Sequence, residues 1–276
     1  MSKSEDKNRV YIHGFSKEEQ DRLRAQAEFM EFLVYRDVNF SQIDNLLEVG
    51  GGVGAQTQIL LRRFPKLKVT SIDINDRQLL EAREHLSSLA YAKDRYEIHN
   101  MNAEKMTFPE NSFQGAFLCW VLEHVPDASR ILAEVRRVLA PNSKIFITEV
   151  MNFAFFLDPY CPAIWKFWMT LNDFQYERGG DPFVGVKLGT FLRNAGFSDV
   201  KTNILTLYAD NREPELRERV ILHWQDLIMS AVDELLSQGR VNQELVDAMK
   251  KEFRDILKNP NAILFDSFMQ ASARVP

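Results

Sequence analysis

The stretch Leu46–Gly54, LLEVGGGVG, places four glycines in five positions behind an acid, Glu48. Glycines bunched this tightly mark backbone that something must approach closely. The apolar run NLLEV leads in and reads as a strand; GAQTQILLRRF leads out with helical spacing until Pro65 stops it. Helix N-terminal amides therefore point at whatever occupies the turn. Gly50, Gly52 and Ala55 satisfy the dinucleotide pattern GxGxxG/A. Asp73 closes the next strand, KVTSID, 21 residues after Gly52, where a carboxylate can grip two ribose hydroxyls. A nicotinamide dinucleotide is one ligand this arrangement fits. Glu48 argues against it, because a carboxylate beside a diphosphate repels while one beside an ammonium and a sulfonium attracts. The chain also has no Tyr-x-x-x-Lys pair of the kind that serves one common hydride-transfer site.

Working outward, SKEEQDRLRAQAEFMEFLVYR opens with Ser16 and has Glu19 three residues on, a capping-box start for a helix. DRQLLEAREHLSSLAYA and ASRILAEVRRVL read as further helices, and YEIHN, SFQGAFLCWV and SKIFITEV as strands. This alternation over residues 45–150 predicts an α/β fold with a parallel, doubly wound sheet. After 150 the rhythm breaks. An aromatic, helix-like segment (160–176) leads to a glycine-rich loop, a short helix (187–195) and the strand DVKTNILTLYA. Two charged amphipathic helices (214–238 and 242–258) and a last strand, AILFDSFMQASARV, follow. The chain reads as an N-terminal helical segment (1–44), a Rossmann-like core (45–150) and a C-terminal part (151–276) that completes the sheet. Cap helices over about 152–184 and 213–258 are placed to cover the carboxyl edge of the sheet, where ligands bind in this architecture.

Taken together, Glu48-Val49-Gly50-Gly51-Gly52-Val53-Gly54 resembles [DE]-x-G-x-G-x-G, the first motif of class I S-adenosylmethionine (SAM) dependent methyltransferases. SIDIN, NAEKMTFPENSF, LCWVLEHVPD and KIFITEV follow in that family's order, and GGDPFVGVKLGTFLRNAGF and FMQASARVP resemble its quinone and natural-product branch. The resemblance covers about residues 10–276. It implies a seven-stranded, mostly parallel Rossmann-like sheet with an N-terminal helix and a helical cap insertion. It also implies a SAM site: Glu48, Gly50, Gly51, Gly52, Gly54 and Gln56 at the turn, and Asp73 on the ribose with Ile74 and Gln78 beyond it. Asn102, Ala103 and Glu104 would meet the adenine, Cys119 and Trp120 the methionine end, and Tyr11 would fold over the cofactor. Three positions depart from the pattern. Asn102 stands where Asp is usual, and its carbonyl can still accept from the adenine amino group. Gln114 replaces an acid, a change with no account from sequence. Gly51 replaces another small residue, a change expected to matter little.

The resemblance implies methyl transfer from SAM, leaving S-adenosylhomocysteine, to a small, hydrophobic or aromatic acceptor of secondary metabolism. It leaves open whether oxygen, nitrogen or carbon is methylated. His124 is the candidate base, with Glu123 second. Cys119, at the end of a buried strand, reads as an inert thiol. Phe156, Trp165, Trp168 and Tyr176 read as an aromatic core, as the wall of a pocket for a flat or greasy acceptor, or as a membrane-surface patch. An NAD(P)-dependent oxidoreductase on a similar sheet and a non-catalytic SAM-binding protein are the alternatives. The 276 residues suit one large α/β domain or one with an insertion. A net charge of −5 disfavours nucleic acid as a partner. Cys119 and Cys161 form no framework and no CxxC pair, which fits a reducing compartment. No clustered ligand set suggests a metal. The segment MSKSEDKNRVYIHGF lacks an apolar signal core, and no run reaches the roughly 18 apolar residues of a spanning helix. A cytoplasmic protein without stable membrane insertion is expected, and the aromatic segment with the N-terminal helix makes a homo-oligomer plausible.

Overall fold

The computed structural model describes Gly14 and residues 16–276. Helix α1 (Lys17–Val34) begins where the capping signal puts it: the Ser16 hydroxyl accepts the Glu19 N–H at 3.2 Å. Strand β1 (Asn45–Val49) enters the glycine turn and α2 (Ala55–Arg63) leaves it. Next come β2 (Lys68–Asp73), α3 (Asp76–Ser87), β3 (Tyr96–Asn100), β4 (Phe113–Cys119), α4 (Ala128–Val138) and β5 (Leu139–Val150). The rest of the chain supplies β6 (Phe156–Asp158), α5 (Pro162–Glu177), α6 (Leu188–Asn194) and β7 (Ser198–Ala209). It ends with α7 (Pro214–Met229), α8 (Val232–Ser237), α9 (Gln243–Lys258) and β8 (Ile263–Arg274).

The sheet runs β3-β2-β1-β4-β5-β8-β6, with β7 also paired to β8. β1 lies parallel to both β2 and β4, and β8 runs antiparallel to β5 and β6. This is the doubly wound α/β class that the motif order implied, with eight strands in place of seven. The extra strand is β6, three residues opposite Ile263–Phe265 inside the aromatic segment. Its burial alternates over only three positions, and Pro159 ends it, so period-two reading cannot find it. The expected helix over 214–238 is two helices, because α7 stops at Met229 and α8 restarts at Val232. At that break the Ser230 hydroxyl donates back to the Leu227 carbonyl at 2.7 Å, a bond that competes with the helical ladder.

The chain folds as two compact units. The larger runs to Val150, resumes over Val184–Leu205 and closes with Phe268–Pro276; the smaller holds Met151–Phe183 and Thr206–Ser267. In the larger unit, Leu47, Val49, Leu118 and Ile147 from the sheet pack on Ile131, Val135 and Leu188 from α4 and α6. Arg95 closes the C-terminal end of α2, donating to the carbonyls of Leu61 (2.8 Å), Phe64 (3.2 Å), Pro65 (2.9 Å) and Leu67 (3.2 Å). In the smaller unit, Trp168 packs 5.2 Å from Trp224 and 5.8 Å from Phe155, ring centre to ring centre.

Helix α5 has Cys161 at its cap position and Pro162 at its first turn, and no cap bond from Cys161 itself. Its exposed amides are met from α9, where Glu252 accepts the N–H groups of Ala163 at 3.0 Å and Ile164 at 2.8 Å. An anion at this end also suits the helix dipole. Glu252→Ala is expected to lower stability by about 1–2 kcal/mol, the usual cost of a lost cap. Glu252→Gln should lose less, because it keeps one acceptor. Urea unfolding of both variants measures the difference.

Candidate cofactor site

The turn after β1 is set by what surrounds it. The amides of Gly50 and Gly51 both donate to the Ile72 carbonyl, at 2.8 and 3.1 Å. A β-carbon on Gly50 would lie 2.5 Å from a Val121 methyl, which is impossible without movement. One on Gly51 would lie 1.8 Å from the Ser71 hydroxyl and 3.2 Å from a Glu48 carboxylate oxygen. The expectation that glycine at 51 matters little meets an obstacle here: before a β-carbon fits, the Ser71 hydroxyl must turn away and its β-carbon, 3.2 Å off, must give slightly. At Gly52, by contrast, a β-carbon would meet nothing within 4 Å, and the backbone is held at φ +51°. The Gly52 amide donates to Asp73 Oδ2 at 3.0 Å.

Glu48 lies buried beneath this turn. Thr57 and Ser71 both donate to its carboxylate, while Oε1 is buried with no partner. Burial pushes its pKa up to about 7, partly offset by those two hydroxyls. Burial also raises Asp73, against the pull of the backbone N–H groups of Asn75, Gly52 and Ile74. Its Oδ1 accepts from Asn75 at 2.9 Å, so both carboxylate oxygens of Asp73 shape the turn.

Around this centre the expected positions separate. Ile74, directly after Asp73, is 45% exposed. Gln78 is buried with its side-chain oxygen unpartnered. Gln56 accepts from the Tyr35 hydroxyl at 2.8 Å. Asn102 spends one lone pair of its carbonyl on the Glu104 N–H at 2.8 Å, forming its own turn beside Ala103 and leaving one for an adenine amino group. Tyr11 lies outside the described residues. Gln114 now has an account: its carbonyl accepts the N–H groups of Asp44 (2.8 Å) and Asn45 (3.1 Å), fixing the entry of β1.

Past β4 the chain turns sharply. Trp120 takes a left-handed conformation, φ +55°, and its ring packs 5.8 Å from Phe268. Burial lifts the Cys119 thiol well above its usual range, with Glu149 the next largest influence. Glu123 is buried and His124 partly exposed, with His124 Nε2 3.6 Å from Glu123 Oε1. Sequence reading missed Glu149 on β5, which is fully buried and accepts the N–H groups of Val121 (2.9 Å) and Leu122 (2.7 Å). The available signal was an acid inside the apolar run KIFITEV. Ser71 and Thr57 left no such signal.

The four aromatic positions lie in the smaller unit. Phe156 and Trp165 line a shallow surface recess together with Tyr160, Cys161 and Ile164. Trp168 is packed inside, its indole N–H donating to the Asn152 carbonyl at 2.8 Å. Tyr176 is 59% exposed on the last turn of α5, three helical turns from Trp165 and outside the recess. Among the described residues no group of three or more His, Cys, Asp or Glu is placed to hold a metal ion, and no helix is long and apolar enough to cross a membrane.

Residues 47–147 match the model of a methyltransferase domain family. Over these residues the chain is similar to a methyltransferase domain. A demethylmenaquinone methyltransferase from Symbiobacterium thermophilum is 28% identical over 150 residues, 51% of this chain and 57% of the relative. A SAM-dependent Diels-Alderase from Talaromyces variabilis is 33% identical over 106 residues, 38% of this chain and 36% of the relative. The chain thus spans little more than half the length of the first and about a third of the second. A phosphoethanolamine N-methyltransferase from Haemonchus contortus, solved with S-adenosylhomocysteine, superposes with a TM-score of 0.58 at 15% identity, covering 97% of this chain and 60% of that one. The structural likeness carries the fold beyond the boundaries of the methyltransferase domain.

Gly51→Ala in this domain should cost about 1–3 kcal/mol through overpacking against Ser71. Adding Ser71→Ala should recover at least half of that loss, since the obstructing hydroxyl is gone. Thermal and urea unfolding of the two single variants and the double one give the coupling.

Proposed function

We propose that the protein is a SAM-dependent methyltransferase acting on a small, hydrophobic or aromatic organic acceptor. The observation that carries this reading is the buried, unpartnered Oε1 of Glu48 under a glycine turn whose backbone is open at Gly52. A buried acid with a spare oxygen suits an ammonium and opposes a diphosphate, which sets the nicotinamide alternative aside. Glu48 would hold the amino group of the methionine portion, Asp73 the ribose hydroxyls, Ile74 a face of the adenine and Asn102 its amino edge. When bound, SAM supplies a methyl group on a cationic sulfur. The chain's own task is then to hold the acceptor in line with it, and such positioning can contribute several kcal/mol, about 7 or more in the best cases.

His124 is the proposed base. Neutral, it would take a proton from the acceptor's hydroxyl or acidic carbon, and the Glu123 carboxylate 3.6 Å away would stabilise the imidazolium. A flat, apolar acceptor such as a quinol or phenol is in keeping with the exposed aromatic side chains of Phe156, Tyr160 and Tyr176 and with the name of the demethylmenaquinone relative. The Diels-Alderase relative favours a second reading, in which SAM is held without giving up its methyl. Calorimetry with SAM and NADH tests the cofactor, and labelled SAM with a panel of phenolic, quinol and amine acceptors separates transfer from binding alone.

The sign of the proton balance follows from Glu48. Its folded pKa of about 7 keeps it largely protonated at pH 6. An ammonium beside it favours the charged form, so binding at pH 6 should release a proton, and binding at pH 8.5 should not. Calorimetric enthalpies measured in buffers of different ionisation heat report that release, which Glu48→Gln should abolish. No release at pH 6 would place the ammonium elsewhere. His124→Ala should lower kcat at least tenfold while leaving SAM affinity within threefold; the opposite pattern in single-turnover and binding measurements would make His124 a structural residue.

A further inference from the structure

Glu149 is the one fully buried acid near the cofactor turn that the chemistry above does not use. β4 ends at Cys119, and only the Trp120 N–H still reaches the backbone of β5, at the Thr148 carbonyl, 2.9 Å away. Trp120 then bends left-handed, and the next two amides point where no β5 carbonyl is available to them. Glu149 Oε1 takes both, at 2.9 and 2.7 Å. One of these amides belongs to Val121, whose methyls stand 2.5 and 2.8 Å from the β-carbon position of Gly50. The two loops that border the proposed methionine site therefore touch through Val121, and Glu149 holds Val121 from behind.

We infer that Glu149 is a positioning residue for cofactor binding: through the amides of Val121 and Leu122 it fixes the gap between the loop after β4 and the glycine turn. The inference rests on the SAM reading. The groups facing Glu149 are acids or weak acids, Glu123 after β4 and Cys119 on β4, so no cation competes for its oxygen. Burial and Glu123 push its pKa up to about 8, so at neutral pH it acts as a neutral acid, which an amide can imitate. An alanine leaves two amides without a partner in a dry site and frees Val121 from behind.

The test uses the full chain and SAM itself. Glu149→Gln should bind SAM within threefold of wild type, and Glu149→Ala at least tenfold more weakly. Val121→Ala, which removes the contact with Gly50 and leaves Glu149 in place, should weaken binding by less, and the double variant should be no worse than Glu149→Ala alone. Hydrogen exchange of the Val121 and Leu122 amides in the unliganded protein should speed up in Glu149→Ala and stay slow in Glu149→Gln, a readout that general destabilisation spread over the sheet would not confine to these two residues. If Glu149→Ala fails to fold, Glu149→Asp takes its place, since its shorter arm cannot reach both amides; it too should bind at least fivefold more weakly. Wild-type affinity in Glu149→Ala or Glu149→Asp, or strict additivity with Val121→Ala, overturns the positioning role alone. Wild-type protein that binds no SAM overturns the cofactor reading and this inference with it.

Discussion

The lack of room for a β-carbon at the end of β1 is the constraint on which the rest of the cofactor site depends. Val121 comes from the loop after β4, Ser71 from β2, and both press on a backbone that carries no side chain. That closeness brings three strand ends within hydrogen-bonding reach of one another. Asp73 can then hold the Gly52 amide, and Ile72 can take two amides at once. The open side at Gly52 is the one place where the turn is not already in contact with protein. Gly52 lies just before the start of α2, so this open stretch of backbone borders the helix N-terminus.

Much of this was legible in the sequence because it is local. NLLEV, KVTSID and YEIHN are short apolar runs set apart by amphipathic helices, and period alone assigns them to a parallel sheet. The glycine motif and Asp73 identify themselves by spacing. What stayed hidden depends on partners far away in the chain. Gln114 looked like a lost acid, yet its carbonyl serves amides 70 and 69 residues distant. Glu149 looked like one more residue of a strand, and its purpose appears only when Val121 and Leu122 are beside it. Trp168 and Tyr176 look alike in an aromatic run, and only packing puts one inside and the other on the surface. The strand β6 was missed because three residues are too few to show a period.

The two halves of the chain also differ in how far comparison reaches. The match to the methyltransferase domain model ends at residue 147. The smaller unit lies beyond it, built on α5, α7 and α9, with Glu252 holding the start of α5. Phe155, Trp168 and Trp224 give this unit its own aromatic interior. The surroundings of Glu48 and Asp73 fall inside the matched stretch, and the aromatic interior of the smaller unit falls outside it.

The fit of Gly51 against Ser71 has a bearing on descent. A methyl at 51 competes for one space with the Ser71 hydroxyl as it now stands, so a small side chain in the turn is accepted more easily once that hydroxyl is gone or turned aside. Substitutions in the turn and on the neighbouring strand are thereby coupled.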